Sequence, residues 1–464
     1  MENSHNEIPF YQTTTAKIIM VGLLALFLLI PLSYVQSLIT ERAERKKDVV
    51  EEVTKSWGTD VHIFGPTLKI PYYVYSQTST LNTTTNKEEI TTTKSTAYAY
   101  FFPENLDFKT QIKKDNSLKR GLYNVVVFST DIQSKGTFSP PNFKKLQIEE
   151  NDVLWDQATI LVKTTNLKSS KGDLKIKLNN MDLSFESKAN TDKLYDDLES
   201  DVFDLSESKA ITFAFKMKYN GSNSVKFIPV AKNTTVSIDS DWQNPSFEGV
   251  FSANTTSKTI TGNGFHADWN VSQVNRPFSQ EYADYLPPLN EYLFGVKLIE
   301  TVDQYQQNER ASKYGFLMIG LTFLIFFLIQ TISKISIHIF QYGMIGLALV
   351  LFYTLLISIT EHSSFSMAYG IATCSVIIML FLYTLSILKS RKFSIFIALA
   401  LAALYSFIYV IIQLENYALL VGSIGLFLIL GIVMYFSRKI DWTEMNGQIN
   451  DNFSAKDNTL EDSI

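Results

Sequence analysis

Cysteine is almost absent from this chain, because its 464 residues include only Cys374. A single thiol excludes an intrachain disulfide, a dithiol redox pair and a cysteine-based zinc site. A strong net charge is also missing, since the formal value is -5 and both signs are mixed along the chain. Without a concentrated basic surface, the sequence does not fit the nucleic-acid-binding class.

Charged residues are missing from six apolar stretches of about twenty residues, the length that an α-helix needs to cross the core of a bilayer. These stretches are Ile18–Ile39, Tyr314–Ile332, Ile339–Ile359, Phe365–Leu388, Phe393–Gln413 and Tyr417–Phe436. The sequence therefore predicts an integral membrane protein with one early and five late helical spans. A cleaved signal peptide is the alternative for the first stretch. A retained anchor is favoured because the apolar run continues past Pro31 and no A-x-A-like cleavage site follows.

The predicted domain organisation follows from these stretches. Residues 1–17 form the amino-terminal segment, 18–39 the first span, 40–313 a polar domain, 314–436 a five-helix bundle and 437–464 a polar tail. The polar domain is rich in Thr, Ser, Asn, Lys and Asp, and it contains short β-favouring runs separated by turn residues. Two such runs are joined by Asn220-Gly221, and Gly262-Asn263-Gly264 predicts a hairpin turn. This spacing favours an antiparallel sandwich or a pair of sheets.

Two polar helices are predicted at the borders of the β-rich domain. The stretch "TERAERKKDVVEEVTKSWG", which begins at Thr40, carries charge pairs at i,i+4 and is expected to continue the first span until Gly58. The stretch "DQYQQNERASK", which begins at Asp303, leads back towards the second span. The domain is therefore expected to be held by two helical stalks.

Lysine and arginine in short loops predict the orientation, because these residues resist translocation. The loops that carry them contain Lys334 between spans two and three, Lys389, Arg391 and Lys392 between spans four and five, and Arg438 and Lys439 after span six. Both termini are therefore expected in the cytoplasm, and the β-rich domain is expected outside. The basic residues that follow the first span, Arg42, Arg45, Lys46 and Lys47, are an exception within a long translocated segment of mixed charge.

The candidate functional residues are Glu361, His362 and Glu415, which lie in the two turns expected on the outer side. One hypothesis makes them gate residues of a transporter or channel for a small or lipidic substrate. A coupled transporter usually carries ionisable residues in the middle of its spans, and these spans contain none. The favoured interpretation is that these residues reverse the chain and solvate helix ends.

No pattern in the sequence predicts a catalytic, cofactor-binding or metal site. There is no G-x-S-x-G elbow, no Walker loop and no dinucleotide fingerprint. His266 and Asp268 share one face of a strand, as a metal site could use, but no second cluster with ligand spacing accompanies them. A solvent-facing strand position is therefore favoured over a metal site. A hydrolase or ligand-sensing role of the polar domain is a third hypothesis.

Nearly the whole chain carries segments that match one family in order. They are "ITERAERKKDVVEEV", "GPTLKIPYY", "RGLYNVVVF", "DSDWQNPSFEGVF", "GNGFHADW", "VDQYQQNERASKYGFLMIGLTFLIFFL", "QYGMIGLALVLFYTLLISITEHSSFSMAYG", "QLENYALLVGS" and "SRKIDW". These segments resemble the CreD family of bacterial inner-membrane proteins, also called cell envelope integrity proteins. The resemblance implies an association with envelope stress and with the regulon of a two-component sensor–regulator pair. It brings no established catalytic activity.

These observations lead to one expectation of function. The protein is expected to be a non-enzymatic inner-membrane protein whose periplasmic β-rich domain contributes to envelope integrity and the stress response. Its expected partners are membrane lipids and another envelope protein or component.

Overall fold

The structure is a computed structural model that describes residues 14–82, 87–115, 118–121, 123–189, 194–206, 210–298, 304–333, 335, 337–388, 390–414 and 417–438. The chain divides into two compact units. The helical unit combines Met1–Lys47 with Val302–Ile464, and the β unit is Asp48–Thr301. The predicted border of the β-rich domain, 40–313, thus differs from the compact β unit by a few residues at one end and by a short helix at the other.

Seven α-helices are described. They are α1 (Thr14–Trp57), α2 (Gln304–Lys313), α3 (Gly315–Ser333), α4 (Ile339–Thr360), α5 (Phe365–Leu388), α6 (Arg391–Gln413) and α7 (Ala418–Ser437). Within the described residues, six of these helices are long and apolar enough to cross a membrane, and only α2 is not. The prediction of one early span, five late spans and a β-rich domain between them is confirmed.

The core of the helical unit is aromatic where α4, α5 and α6 meet. The ring of Phe352 lies 4.7 Å from that of Tyr405 and 5.4 Å from that of Tyr369, and all three side chains are buried. The hydroxyl of Tyr369 donates a 2.8 Å hydrogen bond to the backbone oxygen of Tyr405. In contrast, none of the described residues of α7 is buried. The helix α7 therefore buries less of its surface against its neighbours than α3, α4, α5 and α6 do.

Glycine permits close helix packing at two positions of the helical unit. A Cβ atom at Gly346 would overlap the side chain of Leu28, so the α1 helix approaches the backbone of α4 directly. A Cβ atom at Gly425 would likewise overlap the ring of Phe407 on α6. These two glycines therefore let neighbouring side chains reach the helix backbone. Gly343 differs from them, because nothing lies within 4 Å of a Cβ atom built there.

The β unit contains eighteen described strands. They are β1 (Val61–Asn82), β2 (Lys87–Phe101), β3 (Asn105–Asp115), β4 (Lys119–Arg120), β5 (Tyr123–Asn124), β6 (Val127–Phe138), β7 (Thr159–Thr164), β8 (Lys175–Leu178), β9 (Met181–Lys188), β10 (Asp196–Ser200), β11 (Ile211–Gly221), β12 (Ser224–Phe227), β13 (Asn233–Ser240), β14 (Pro245–Gly249), β15 (Thr259–Thr261), β16 (Gly264–Ser272), β17 (Glu281–Ala283) and β18 (Phe294–Leu298). The main sheet follows the order β14-β18-β12-β1-β7-β10-β9-β8-β11-β6-β3-β13-β16-β15, with β2 on β1 and β17 on β2. The pairs β1–β12 and β3–β13 are parallel, and the others are antiparallel.

The two halves of this long sheet pack face to face. The ring of Phe108 on β3 lies 4.7 Å from that of Phe227 on β12. The ring of Trp269 on β16 lies 5.9 Å from those of Phe247 on β14 and Phe294 on β18. Because these pairs join strands that are distant in the sheet order, their rings form the core of a sandwich. The predicted sandwich is therefore present in the β unit.

The two predicted turns differ in outcome. Gly262-Asn263 connects β15 to β16, and Thr261 pairs with Gly264, so the predicted hairpin is confirmed. Asn220 and Gly221 instead lie inside β11, where they pair with β6. The following strand, β12, pairs with β1 and β18. The chain therefore passes from one half of the sandwich to the other after Gly221.

Candidate functional site

The turn between α4 and α5 contains two of the three predicted residues, and it ends α4 by backbone hydrogen bonds. The amide of Glu361 donates to the oxygen of Ile357 at 3.2 Å, and the amide of His362 donates to that of Ile359 at 3.0 Å. These bonds satisfy carbonyl groups that a helix end leaves without partners. The third predicted residue, Glu415, lies outside the described residues.

The carboxylate of Glu361 faces α1. Its Oε1 atom lies 3.6 Å from Nη1 of Arg42, and the side chain of Glu361 is only 15% exposed. The His362 side chain is exposed at the surface of the helical unit. The sequence does not predict the contact of Arg42 with Glu361. It marks Arg42 only as an exception to the rule that lysine and arginine remain on the cytoplasmic side. No local signal links residues so far apart in the chain.

Neutral polar groups surround this end of the helical unit. The side-chain amide nitrogen of Gln36 donates to the backbone oxygen of Ser312 at 3.0 Å, and this hydrogen bond connects α1 to α2. The side-chain amide of Gln307 donates to that of Gln413 on α6 at 3.4 Å. Asn308 is buried, and its side-chain amide donates to the backbone oxygen of Gln304 at 2.8 Å. The helix α2 is therefore packed into the helical unit, where its amides form a structural polar layer.

His266 is the centre of a charged group on the β unit. Its Nδ1 atom lies 2.7 Å from Oδ1 of Asp239, and its Nε2 atom lies 3.1 Å from Oδ2 of Asp268. The hydrogen bond with Asp239 raises the pKa of His266, burial opposes this rise, and the hydrogen bond with Asp268 adds to it. Burial acts to raise the pKa of Asp268, but the neighbouring polar groups, among them the ring of His266, outweigh it and lower that pKa.

The predicted placement of His266 and Asp268 on one face is confirmed by their contact. Across the parts of the chain that the structure describes, no group of three or more His, Cys, Asp or Glu side chains is arranged to hold a metal ion. Because both ring nitrogens of His266 lie within hydrogen-bond distance of carboxylate oxygens, the two carboxylates suit a protonated imidazole, which they stabilise by charge.

A long hairpin is the feature of the β unit that sequence reasoning missed. The strands β1 and β2 pair from Leu68 opposite Phe101 to Asn82 opposite Lys87. The β1–β7 ladder ends at Lys69, and the β2–β17 ladder ends at Ala99. Among the described residues, 73–82 and 87–97 form strand ladders only with each other. We call these two segments the ribbon; both of its long edges are open.

One face of the ribbon carries exposed apolar and aromatic side chains. Tyr75 is 51% exposed and Ile90 is 65% exposed, and strand alternation places both on the same face. The amino group of Lys94 lies 3.2 Å from the centre of the Tyr73 ring. At the base of the ribbon, the amino group of Lys69 lies 4.3 Å from the ring centre of Tyr98. The ribbon thus combines open backbone edges with aromatic and cationic groups, which suit the binding of an extended peptide segment.

A weak signal for the ribbon was present in the sequence. The stretch "SQTSTLNTTTNKEEITTTKSTAYAY", which begins at Ser76, is rich in threonine, a β-branched residue that favours strands. Because threonine is also common in loops on polar surfaces, this composition alone did not separate a hairpin from a loop.

Two comparisons with known proteins cover nearly the whole chain and agree with each other. The family model described as "Inner membrane protein CreD" matches residues 13–443. Inner membrane protein CreD of Escherichia coli (strain K12) is 26% identical over 423 residues, which cover 90% of this chain and 91% of that protein. A crystal structure of a candidate nutrient-binding protein from Legionella pneumophila covers 47% of this chain and 73% of its own, at 9% identity. Its TM-score of 0.23 is too low to support an argument about fold.

Proposed function

The chain belongs to the CreD family of inner membrane proteins, and from this premise we propose that it contributes to cell envelope integrity and the envelope stress response without catalysing a reaction. In this proposal the β unit stands in the periplasm, and both termini lie in the cytoplasm. The β unit is connected to membrane helices at both of its ends, by α1 and by the segment that precedes α2.

The ribbon is the observation that carries this proposal. Natural proteins usually shorten or cover open sheet edges, because such edges pair with other chains. A ribbon with two open edges and exposed Tyr75 and Ile90 is therefore a surface suited to a partner. We propose that the partner is another envelope protein, whose extended segment adds to the ribbon as a further strand.

The basic residues of the helical unit support the proposed orientation. Arg391 and Lys392 begin α6, and Arg438 follows α7, so these three residues lie at helix ends that alternation places on one side of the membrane. The turn at Glu361, at the opposite end of α4 and α5, contains no lysine or arginine. This distribution favours a cytoplasmic side at Arg391. The remaining loop residues used for the prediction, Lys334, Lys389 and Lys439, lie outside the described residues.

The pairing of Glu361 favours chain reversal over a transport gate. A gate residue must change its environment during transport, whereas the carboxylate of Glu361 is held near Arg42 and its amide ends α4. We therefore propose that Glu361 and His362 shape the turn between α4 and α5. The same role is proposed for Glu415 from the sequence alone, because this residue lies outside the described residues.

The proposed role of the ribbon can be tested by complementation of a strain that lacks this protein. In the shortened variant, an Asn-Gly turn replaces residues 77–92 and joins Ser76 to Thr93, which are paired in the ribbon. We expect this variant to reach normal abundance in the membrane and to fail to restore resistance to bile salts. Full restoration of resistance by the shortened variant would exclude the ribbon as the acting surface.

A matched pair of point variants separates the two faces of the ribbon. Tyr75→Ser removes an exposed ring from the aromatic face, and Val74→Ser changes the neighbouring residue on the other face. We expect Tyr75→Ser to weaken resistance to bile salts and Val74→Ser to leave it unchanged. Equal effects of the two variants would argue against recognition through the aromatic face.

A further inference from the structure

An apolar cleft of about 710 Å³ lies between α3, α6 and α7 of the helical unit. Its walls extend along α3 from Leu321 to Ile332, along α6 from Lys392 to Phe407, and along α7 from Gly425 to Phe436. Lys392 is the single charged residue in this lining. The volume is within the range of about 300–1,000 Å³ that is typical of ligand sites.

The cleft has a closed end and a charged end. At the closed end the ring of Phe407 lies directly on the backbone of Gly425, where it brings α6 and α7 into contact. At the other end are Lys392, Ile332 and Phe436, which lie close to the ends of the three helices. A molecule in the cleft would therefore place its apolar part towards Phe407 and its polar part at Lys392.

The length of the cleft matches one leaflet of a bilayer. The lining of α3 extends over eleven residue steps from Leu321 to Ile332, which corresponds to about 16 Å at the rise of an α-helix. Half of the hydrocarbon core of a bilayer is about 15 Å thick. A single acyl chain of a phospholipid therefore fits the cleft from the headgroup level to its closed end.

The charged end suits an anionic headgroup. Within the part of the chain that the structure describes, Arg391 and Lys392 form no ion pair, and both are exposed. The preceding residue, Ser390, makes no side-chain capping bond to α6. The first amide groups of that helix therefore also point to this end, where a phosphate can accept hydrogen bonds from them.

We propose that the cleft binds one anionic phospholipid, with an acyl chain between α3, α6 and α7 and the phosphate at Lys392 and the first turn of α6. The lipid supplies the packing that α7 lacks, since none of the described residues of α7 is buried by protein. This site depends neither on the ribbon nor on the proposed role in the envelope.

Native mass spectrometry of the full-length protein in detergent tests this site, with phosphatidylglycerol and phosphatidylcholine as the two probes. We expect phosphatidylglycerol to be retained in preference to phosphatidylcholine. Lys392→Gln should weaken the retention of phosphatidylglycerol by roughly tenfold, because hydrogen bonds to charged groups are the strong ones. Lys313→Gln is the matched control, since Lys313 is exposed on α2 and paired with Glu309; it should retain the preference.

A second pair of variants tests the acyl-chain position. Ala403→Trp places a large ring in the cleft and should reduce the retention of both lipids several-fold. Leu399→Trp changes an exposed position of α6 that does not line the cleft, and it should bind both lipids as the parent does. If Ala403→Trp does not fold, Lys392→Gln still decides the headgroup contact.

Two results would overturn the proposal. The first is equal retention of the two lipids by the parent protein, or retention of phosphatidylglycerol that Lys392→Gln leaves unchanged. The second is the formation of disulfide-linked dimers by Ile432→Cys in a Cys374→Ser background, because Ile432 lines the cleft and a second copy would then cover it.

Discussion

At the residue scale, burial determines how much an ion pair contributes to the β unit. The amino group of Lys69 lies 2.9 Å from Oε1 of Glu199, and both side chains are 15% exposed. The same carboxylate oxygen accepts a 2.7 Å hydrogen bond from Thr159. The pair Lys188–Glu186 has a similar distance, 3.0 Å, but its side chains are 52% and 68% exposed. Solvent screens the second pair far more than the first.

Glu199→Ala should therefore destabilise the β unit, and Glu186→Ala should not. The first change leaves the largely enclosed charge of Lys69 without its partner, which costs about 1–3 kcal/mol. The second should change stability by about 0.5 kcal/mol or less. Thermal unfolding followed by tryptophan fluorescence is a suitable measurement, because four of the five tryptophans lie in the β unit. Similar losses in both variants would show that burial does not separate the two pairs.

His266 should make the stability of the β unit depend on pH. Its pKa is raised by Asp239 first and by Asp268 as well, so the folded protein holds the proton more tightly than the unfolded chain. This contribution is fully present below a pH of about 6.5, the unfolded value, and it is lost as the pH rises through the higher folded pKa. The Tm difference between the parent and His266→Gln should thus be larger at pH 6 than at pH 9. A difference that does not change over this range would contradict the assignment.

Substitutions in the turn between α4 and α5 should be tolerated. Glu361→Gln removes one partner of a pair with Arg42 at 3.6 Å. Because the Arg42 side chain that keeps its charge is 34% exposed, the loss should cost about 1 kcal/mol or less. His362→Asn changes an exposed side chain. Both variants should reach normal abundance and restore resistance to bile salts in the deletion strain. An abundant Glu361→Gln protein without activity would instead support the gate hypothesis.

At the element scale, the spans could be predicted well because the bilayer sets their length. The stretch Phe365–Leu388 matches α5 at both ends, and α7 is displaced from its prediction by one residue. Strand partners could not be predicted in the same way. Asn220 and Gly221 carry a local turn signal, but their actual partners on β6 lie far away in the chain. Pairing depends on packing across the sandwich, which local β propensity does not encode.

The site was predictable only in part for the same reason. The turn residues Glu361 and His362 could be found because charged residues between two apolar runs mark a helix end. Arg42 could not be identified as the partner of Glu361, since the contact joins α1 to the far end of α4. The ribbon could not be predicted either, because its extent depends on where the β1–β7 and β2–β17 ladders end. Those ends are a property of the assembled sheet.

Two glycines of α4 allow a direct test of close helix packing. Gly346→Ile should destabilise the helical unit by about 1–3 kcal/mol, because the new side chain overlaps that of Leu28 and overpacks the α1–α4 contact. Gly343→Ile is the matched control, since open space surrounds that position. Thermal unfolding followed by circular dichroism at the helical band gives the measurement. Equal melting temperatures for the two variants would show that Leu28 moves aside at little cost.

At the scale of the whole molecule, each unit has its own hydrophobic core. The core of the β unit combines side chains from both halves of the sandwich. The core of the helical unit combines side chains from α1 to α6. Neither core is built from the other unit's residues, which allows the β unit to fold in water while the helices are surrounded by lipid. The orientation of both units then depends on which loops remain in the cytoplasm.

Single cysteines should report this orientation in a Cys374→Ser background. Val274→Cys lies on the β unit at a position that is 96% exposed, and Ser364→Cys lies in the turn between α4 and α5. A membrane-impermeant maleimide should label both in intact spheroplasts. Ser390→Cys, which precedes the basic start of α6, should be labelled only after lysis, because lysine and arginine resist translocation. Labelling of Ser390→Cys in intact spheroplasts, with protection of Val274→Cys, would place the β unit in the cytoplasm and remove the basis for its proposed role in the periplasm.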